Sequence, residues 1–495
     1  MAVRRNVIAN LGGSAWAGLV AFAFIPIYLR TIGPAGYGLV GFFVTLASLM
    51  SVFDGGFGAA TARELATVSD NGKAGSVRNL VHTLEVIFWG IALVLGASVF
   101  FSAPFLADHW LNLGTLERND ALDALKLMGL TLALQWPVAY YSGCIVGLQR
   151  QVGLNFINTI ALTLRFGGAA VVVSYWSPTV SAFFVWQAFS MLLHVMTLQI
   201  YLWRAMPGTE SPTFSMPELK GVGRFAAGVG GINVLALIIS QADKIVLSKI
   251  IPLEQLGYYT MAAALASVVG RVMLPIFNAT YPRLITLVAS KDEKETDLIL
   301  FYRKACQLIA FAIVPLALVL VVFGREIMLL WTGDANLAQS LRWVIACLAA
   351  GTMLNGFMII PYALQLAERW TSLGFWQNVI AVTVMIPAIA AAAFYFGLVG
   401  AASIWLVLNA GYVAIAAPIM YRRLLKKEKR NWYLNSVALP IITTLAVLLP
   451  IKFISESYTD LSRIKLFLIV ACAGLIAQGV LGLMLYARRS KLNFG

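Results

Sequence analysis

Residues 305–324 read ACQLIAFAIVPLALVLVVFG, twenty positions without a charged side chain. An α-helix rises about 1.5 Å per residue, so a run of this length covers the roughly 30 Å hydrocarbon core of a bilayer. Gln307 apart, the run is apolar throughout and does not alternate, which excludes the strand of a membrane barrel. It predicts a spanning helix over 304–330. Thirteen further apolar stretches have the same character, over 8–30, 37–60, 80–106, 122–147, 154–176, 180–203, 224–250, 256–280, 340–365, 372–396, 398–421, 433–454 and 463–487. Turn signals separate them: Gly33-Pro34, Ser177-Pro178, Ile251-Pro252, and Gly397 with Gly400. The expected fold is all-α and integral to the membrane, with about fourteen transmembrane helices.

Composition agrees. Of 495 residues, 60% are hydrophobic and 12% charged, where soluble domains carry about 25% charge. Such a chain has too little polar surface for water. Its net charge of +14 would suggest nucleic acid in a soluble protein. Here the basic residues sit in short segments between apolar runs, where they set orientation. No nucleic-acid partner is therefore expected. Arg4 and Arg5, the cluster 422–430 and Arg488, Arg489 and Lys491 fall on one side with most other basic residues. That side is read as cytoplasmic, which places both termini in the cytoplasm. The stretch from Asn6 to Leu29 is too long for a signal-peptide core and reads as the first membrane helix. The run RRLLKKEKR at 422–430 is open to two readings, a topology anchor or a site for lipid headgroups.

The four cysteines, Cys144, Cys306, Cys347 and Cys472, lie inside apolar runs and read as small buried hydrophobes. His82, His109 and His194 are scattered, and no loop is long enough for an extramembrane catalytic domain. Neither a metal nor a cofactor is expected, and the chain does not read as an enzyme.

The chain repeats at an offset of 219 residues. Arg5 falls on Arg224, Gly12 on Gly231, Arg30 on Lys249, Gly38 on Gly257, Leu46-Ala47-Ser48 on Leu265-Ala266-Ser267, and Arg150 on Arg369. A six-helix repeat returns the chain to its starting side, so two lobes of equal topology are expected, with a substrate site between them near the midplane. The expected units are 1–203, an N-terminal six-helix lobe; 204–421, a C-terminal six-helix lobe; and 422–495, a basic linker with two additional helices.

Polar residues inside the spans are costly and ask for a role. Arg165 lies halfway along the fifth helix and Arg271 just past halfway along the eighth. With Lys244 in the seventh, they are the candidate cavity cations. A guanidinium cannot neutralise itself, and neither arginine has an acid three or four residues away. Polar side chains follow helical faces: Asn155, Asn158 and Arg165; Asn233, Ser240 and Lys244; Ser267, Arg271 and Asn278; Asn355 and Tyr362; Gln187, Ser190 and His194; and Asn10 in the first helix. These stripes point to a polar cavity, above all at Arg165 and Arg271, whereas any one Ser or Thr reads first as a helix–helix hydrogen bond. Asp243 is the candidate for ion coupling, with a structural ion pair as the other reading.

The stretch NVIANLGGSAWAGLVAFAFIPIYLRTIGPAGYGLVGFFVTLASLMSVFDGGFGAATAREL, from Asn6, resembles the opening of the polysaccharide-biosynthesis flippases. These are the O-antigen (Wzx-type) members of the multidrug/oligosaccharidyl-lipid/polysaccharide exporter superfamily. SQADKIVLSKIIPLEQLGYYTMAAALASV, from Ser240, resembles the seventh and eighth helices of that family. The resemblance implies two six-helix lobes plus two helices. It also implies a cavity opening alternately to each side, and a polyprenyl-diphosphate-linked oligosaccharide, an O-antigen or exopolysaccharide unit, as substrate. Membrane lipids, a polysaccharide polymerase and a chain-length regulator are the implied partners. The related lipid II flippases bind diphosphate through cations in the first lobe's cavity. Arg165 comes from the fifth helix, so individual ligands are not carried over. A multidrug or small-solute exporter of the same superfamily is the alternative; it would call for buried carboxylates and twelve helices.

Overall fold

A computed structural model describes residues 12–13, 16–51, 61–62, 65, 74–208, 211–216, 235, 237–457 and 462–492. Among these residues the protein is a multi-pass helical membrane protein with no strand; its sole β feature is an isolated bridge between Asn112 and Pro252. The helices are α1 (Trp16–Thr31), α2 (Gly33–Met50), α3 (Gly75–Trp110), α4 (Arg118–Gly147), α5 (Gln151–Trp176), α6 (Val180–Ala205) and α7 (237–250). Then follow α8 (Leu253–Ala289), α9 (Glu295–Thr332), α10 (Ala335–Ala367), α11 (Ser372–Arg423), α12 (Lys426–Glu456) and α13 (Arg463–Ala487). Ten of these are long and apolar enough to cross a membrane. The expected helices over 372–396 and 398–421 are the two arms of α11, parted at Gly397 by non-helical backbone (φ 61°, ψ −144°). Glycine adopts that geometry without a Cβ penalty.

Their outer faces are apolar and open. Tyr175 and Trp176 at the end of α5 are 88% exposed, and Phe394, Tyr395 and Phe396 end the first arm of α11 at 74–77%. Aromatic rings at span ends are the usual anchors at a membrane–water interface.

Prolines explain where three of the helices break. Helical continuity lapses at Phe24, Val272 and Met358, two or three residues ahead of Pro26, Pro275 and Pro361. A proline has no N–H to donate and its ring crowds the preceding turn, so the break falls there. Pro137 and Pro387 lie inside continuous helix. Short connections are capped by side chains. Thr179 accepts from Ala182 N at 3.2 Å to start α6, and Asp334 accepts from Asn336 N and Leu337 N at 2.9 and 3.0 Å to start α10.

The chain divides into two compact units, Met1–Gly257 and Tyr258–Gly495. The first has a core of α3, α4 and α6, with Leu84, Phe88, Tyr140, Tyr141, Leu198 and Leu202 buried. α3 and α4 cross at Gly96 and Gly129. A Cβ at Gly96 would stand 2.7 Å from Gly129 O, and one at Gly129 2.6 Å from Gly96 O, so only glycine permits this approach. The same core holds Glu85, 6% exposed. It accepts hydrogen bonds from Tyr141 Oη at 2.5 Å, Gln199 Nε2 at 2.8 Å and Trp203 Nε1 at 3.2 Å. Donors from α4 and α6 hold this carboxylate of α3, which offsets its desolvation and ties the three helices together.

In the second unit, α9 is the central element. Tyr302 and Tyr421 share a hydrogen bond at 2.6 Å, Arg303 forks onto buried Glu428 at 2.7 Å, and Lys452 of α12 reaches Glu326 at 2.7 Å and Glu456 at 3.2 Å. Glu428 is the lone acid of the 422–430 run, and it turns inward. Arg422, Arg423, Lys426, Lys427, Lys429 and Arg430 stay exposed.

Candidate functional site

The polar stripes of α5 and α6 meet inside the first unit. Asn158 and Arg165 are seven residues apart on α5, as are Gln187 and His194 on α6. Seven residues are close to two turns, so each pair shares a face. The helices run antiparallel and the residues form two rungs. Asn158 Oδ1 lies 3.0 Å from His194 Nε2, and Arg165 Nε donates to Gln187 Oε1.

Arg165 is the chemical centre of this arrangement. Its Nη2 donates to Gln135 Oε1 of α4 at 3.3 Å, and its guanidinium carbon stands 5.6 Å from the Phe166 ring and 5.9 Å from the Phe43 ring. Among the described residues it makes no ion pair. Amide dipoles and ring faces stabilise the cation without cancelling its charge. A guanidinium has five N–H donors and the two amides take two, so three remain for a ligand. Gln187 is 1% exposed, and its Nε2 has no hydrogen-bond partner among the described residues. Gln135 also lines a cavity of about 210 Å³ between α2 and α4, with Ala47, Met50, Ser51, Leu132, Trp136 and Ala139. The second amide that holds Arg165 thus borders an open pocket whose other walls are mainly apolar. A diphosphate or other oxyanion is the ligand class that a forked, uncompensated cation beside amide donors suits best.

The other expected site residues are more dispersed. In the first unit, Asn155 donates to Gln151 O at 2.8 Å. Lys244 Nζ reaches Gln241 Oε1 on its own helix at 3.3 Å, and Ser240 is exposed and bonds Leu237 O. Asp243 is 8% exposed, and its Oδ1 accepts from Lys244 N at 2.8 Å. In the second unit Ser267, Arg271 and Asn278 all lie on an exposed face of α8. Asn355 of α10 donates to buried Asn409 of α11 at 2.8 Å, an interhelical bond, and Tyr362 is half-buried beside Gly374. Asn10 and Asn233 lie outside the described residues. Among the described residues no cluster of His, Cys, Asp and Glu could hold a metal. Sequence reasoning missed Gln135, a lone amide in an apolar run whose value depends on which helix packs opposite.

Comparison with known proteins adds family and fold. A family described as polysaccharide biosynthesis protein matches residues 3–288. A candidate O-antigen transporter of Shigella flexneri is 21% identical over 363 residues, 73% of this chain and 84% of that protein. The succinoglycan biosynthesis transport protein ExoT of Rhizobium meliloti is 22% identical over 471 residues, 92% of this chain and 87% of that one. Among solved structures, the lipid II flippase MurJ in an inward closed conformation aligns with a TM-score of 0.68 at 14% identity, over 98% of this chain and 99% of its own. An inward-facing multidrug resistance transporter of the MATE family aligns at 0.65 and 14% identity, over 83% and 96%.

Proposed function

The chain belongs to the polysaccharide biosynthesis protein family, and from that membership we propose that it is a flippase. It carries a polyprenyl-diphosphate-linked oligosaccharide from the cytoplasmic to the periplasmic leaflet by alternating access. The observation that carries the reading is Arg165, a membrane-embedded cation held by Gln135 and Gln187 with no ion-pair partner among the described residues. Such a cation costs about 2.5–3.5 kcal/mol to place in the bilayer centre on insertion scales. An anionic ligand would offset that cost in a way that a structural role, already served by neutral amides, does not need.

Arg271 and Lys244 are proposed as further cations along the path. The polar residues Asn155, Asn158, Ser240, Ser267, Asn278, Asn355 and Tyr362 are proposed to meet the sugars, with Asp243 available for ion coupling. The direction follows from charge: moving one anionic charge outward across 100 mV yields about 2.3 kcal/mol. The names of the O-antigen and succinoglycan relatives support the substrate class. Fourteen helices in two six-helix lobes plus two, with both termini cytoplasmic, complete the proposal. Reporter fusions after Arg150, Pro207 and Lys427 should all read cytoplasm, and a periplasmic signal at any one would break it.

The decisive experiment is flipping of a lipid-diphosphate-linked oligosaccharide in proteoliposomes by the native protein and by Arg165→Ala. Flipping that is lost in the variant supports the reading. No flipping of several glycans, alongside export of a lipid-free solute, would replace it with an exporter.

A further inference from the structure

The α3–α4 connection, residues 111–117, folds back over the turn between α7 and α8. Both lie within the first unit, which ends at Gly257. Three contacts fasten the connection. Trp110 Nε1, at the end of α3, donates to Ser248 Oγ of α7 at 3.0 Å, and Lys249 Nζ stands 5.0 Å from the same ring. Leu253 N donates to Asn112 O at 2.9 Å, beside the bridge between Asn112 and Pro252. Glu254 Oε1 accepts from Thr115 N at 2.6 Å and from Thr115 Oγ1. Gly114 (φ 59°) makes room for that carboxylate, since a Cβ there would collide with both of its oxygens. Alongside, the starts of α2 and α8 meet backbone to backbone. A Cβ on Gly38 would fall on Leu253 O, and one on Gly257 would fall on Pro34 O. Leu253 is fully buried, and Ala35 is 5% exposed.

The repeat shows that these bonds are more than a product of the turn. At the 219-residue offset Gly114 corresponds to Gly333, whose φ of 77° is also positive. The fastening groups do not recur. Trp110 and Ser248 correspond to Leu329 and Leu29, and Thr115 and Glu254 to Asp334 and Ala35. Neither pair offers a side-chain donor with a side-chain acceptor, and Asp334 instead caps α10. The bonds are also placed where they can be undone. Thr115 and Lys249 are exposed and Glu254 is half-buried. Hydrogen bonds at a wet surface exchange with water at small net cost. Gly38 and Gly257 present backbone to their neighbours, with no side chains to disengage.

We propose that the α3–α4 connection is a releasable clasp. While Glu254 holds Thr115 and Ser248 holds Trp110, the starts of α2 and α8 are sealed together at the periplasmic face, and undocking of the connection lets them part. The proposal rests on the flippase reading for alternating access and for the orientation that makes this end periplasmic.

The test reads opening without transport. In full-length protein whose four native cysteines are replaced by alanine, Ala35→Cys reports the seal through its rate of labelling by a membrane-impermeant maleimide added outside spheroplasts. Labelling should be slow with the clasp intact and several-fold faster with Glu254→Ala plus Thr115→Val. Thr115→His with Glu254→His separates opening from misfolding. Its labelling should be fast in chelator and return to the slow rate in zinc, which bridges the two imidazoles. Gly38→Ala, which wedges α2 away from Leu253, should speed labelling with the clasp residues intact. Equal rates with and without the clasp residues, or a double-histidine rate that zinc leaves unchanged, would overturn the proposal. So would labelling from the cytoplasmic side alone. In proteoliposomes the zinc-closed variant should lose flipping and regain it in chelator; flipping that continues in zinc would overturn the clasp and leave the flippase reading in place. Labelling that follows the clasp in a protein that flips no glycan would support the clasp and count against the flippase reading alone.

Discussion

The α5–α6 pair and the two arms of α11 make the sharpest comparison in the molecule. At the 219-residue offset seen in the sequence, Arg165 corresponds to Val384, Gln135 to Leu354, Gln187 to Leu406 and His194 to Val413. One helix pair carries a forked cation, two amides and an Asn–His rung. Its sequence counterpart carries aliphatic groups along an apolar groove. Gln377, the counterpart of Asn158, keeps an amide but has lost the histidine that Asn158 faces. Apolar spacing, which inserts and packs each helix, recurs at this offset while the few polar positions differ. The spacing is set by the bilayer and tolerates many apolar side chains, whereas a polar position answers to the group that lies opposite it.

The comparison can be broken in several ways. The largest effect is expected from Arg165→Ala, which should lower flipping of a diphosphate-linked glycan at least ten-fold, about 1.4 kcal/mol, with membrane insertion unchanged. Near-native flipping would remove the cation from the mechanism. Gln187→Glu should come next. It places a carboxylate on the guanidinium in nearly the same volume, pairing the charge internally. Flipping should fall several-fold while thermal stability in detergent holds or rises. A variant that flips normally would show that the charge need not be open.

His194→Leu tests the second rung. Interhelical hydrogen bonds in membranes average about 0.6 kcal/mol, so a small drop in thermal stability is expected, with flipping reduced less than two-fold. A loss comparable to that of Arg165→Ala would make the Asn158–His194 rung part of the site. The smallest effect belongs to Val384→Ala. If the second pair takes no part in holding the anion, glycan flipping should be unchanged within error, and a large loss would erase the contrast.

The all-helical, membrane-spanning class was legible in the sequence, as were the breaks ahead of Pro26, Pro275 and Pro361. An uncharged run of twenty residues has one stable fate in lipid, and a proline removes the same backbone hydrogen bond wherever it occurs. The depth of Arg165 and its face, shared with Asn158, could also be read, because both follow from counting along one helix. What counting could not supply was the partner across the interface. Gln135 sits on α4 with only Thr131 and Ser142 at helical spacing, neither of which points to a partner on α5. Asn355 looked like a cavity residue until Asn409 proved to face it at 2.8 Å. Nor could counting along α3 supply the three donors that reach Glu85 from α4 and α6.

The sequence by itself determined that this protein lives in a membrane as a series of helices, and it set the faces on which their polar groups lie. Hydrophobic length and helical period are local properties, carried entirely by the order of residues. Only the tertiary structure decided which polar groups satisfy one another and which remain open. That outcome depends on which helix lies opposite: Arg165 met two neutral amides and kept its charge, Glu85 met three donors, and Gln377 and Tyr412 met apolar neighbours.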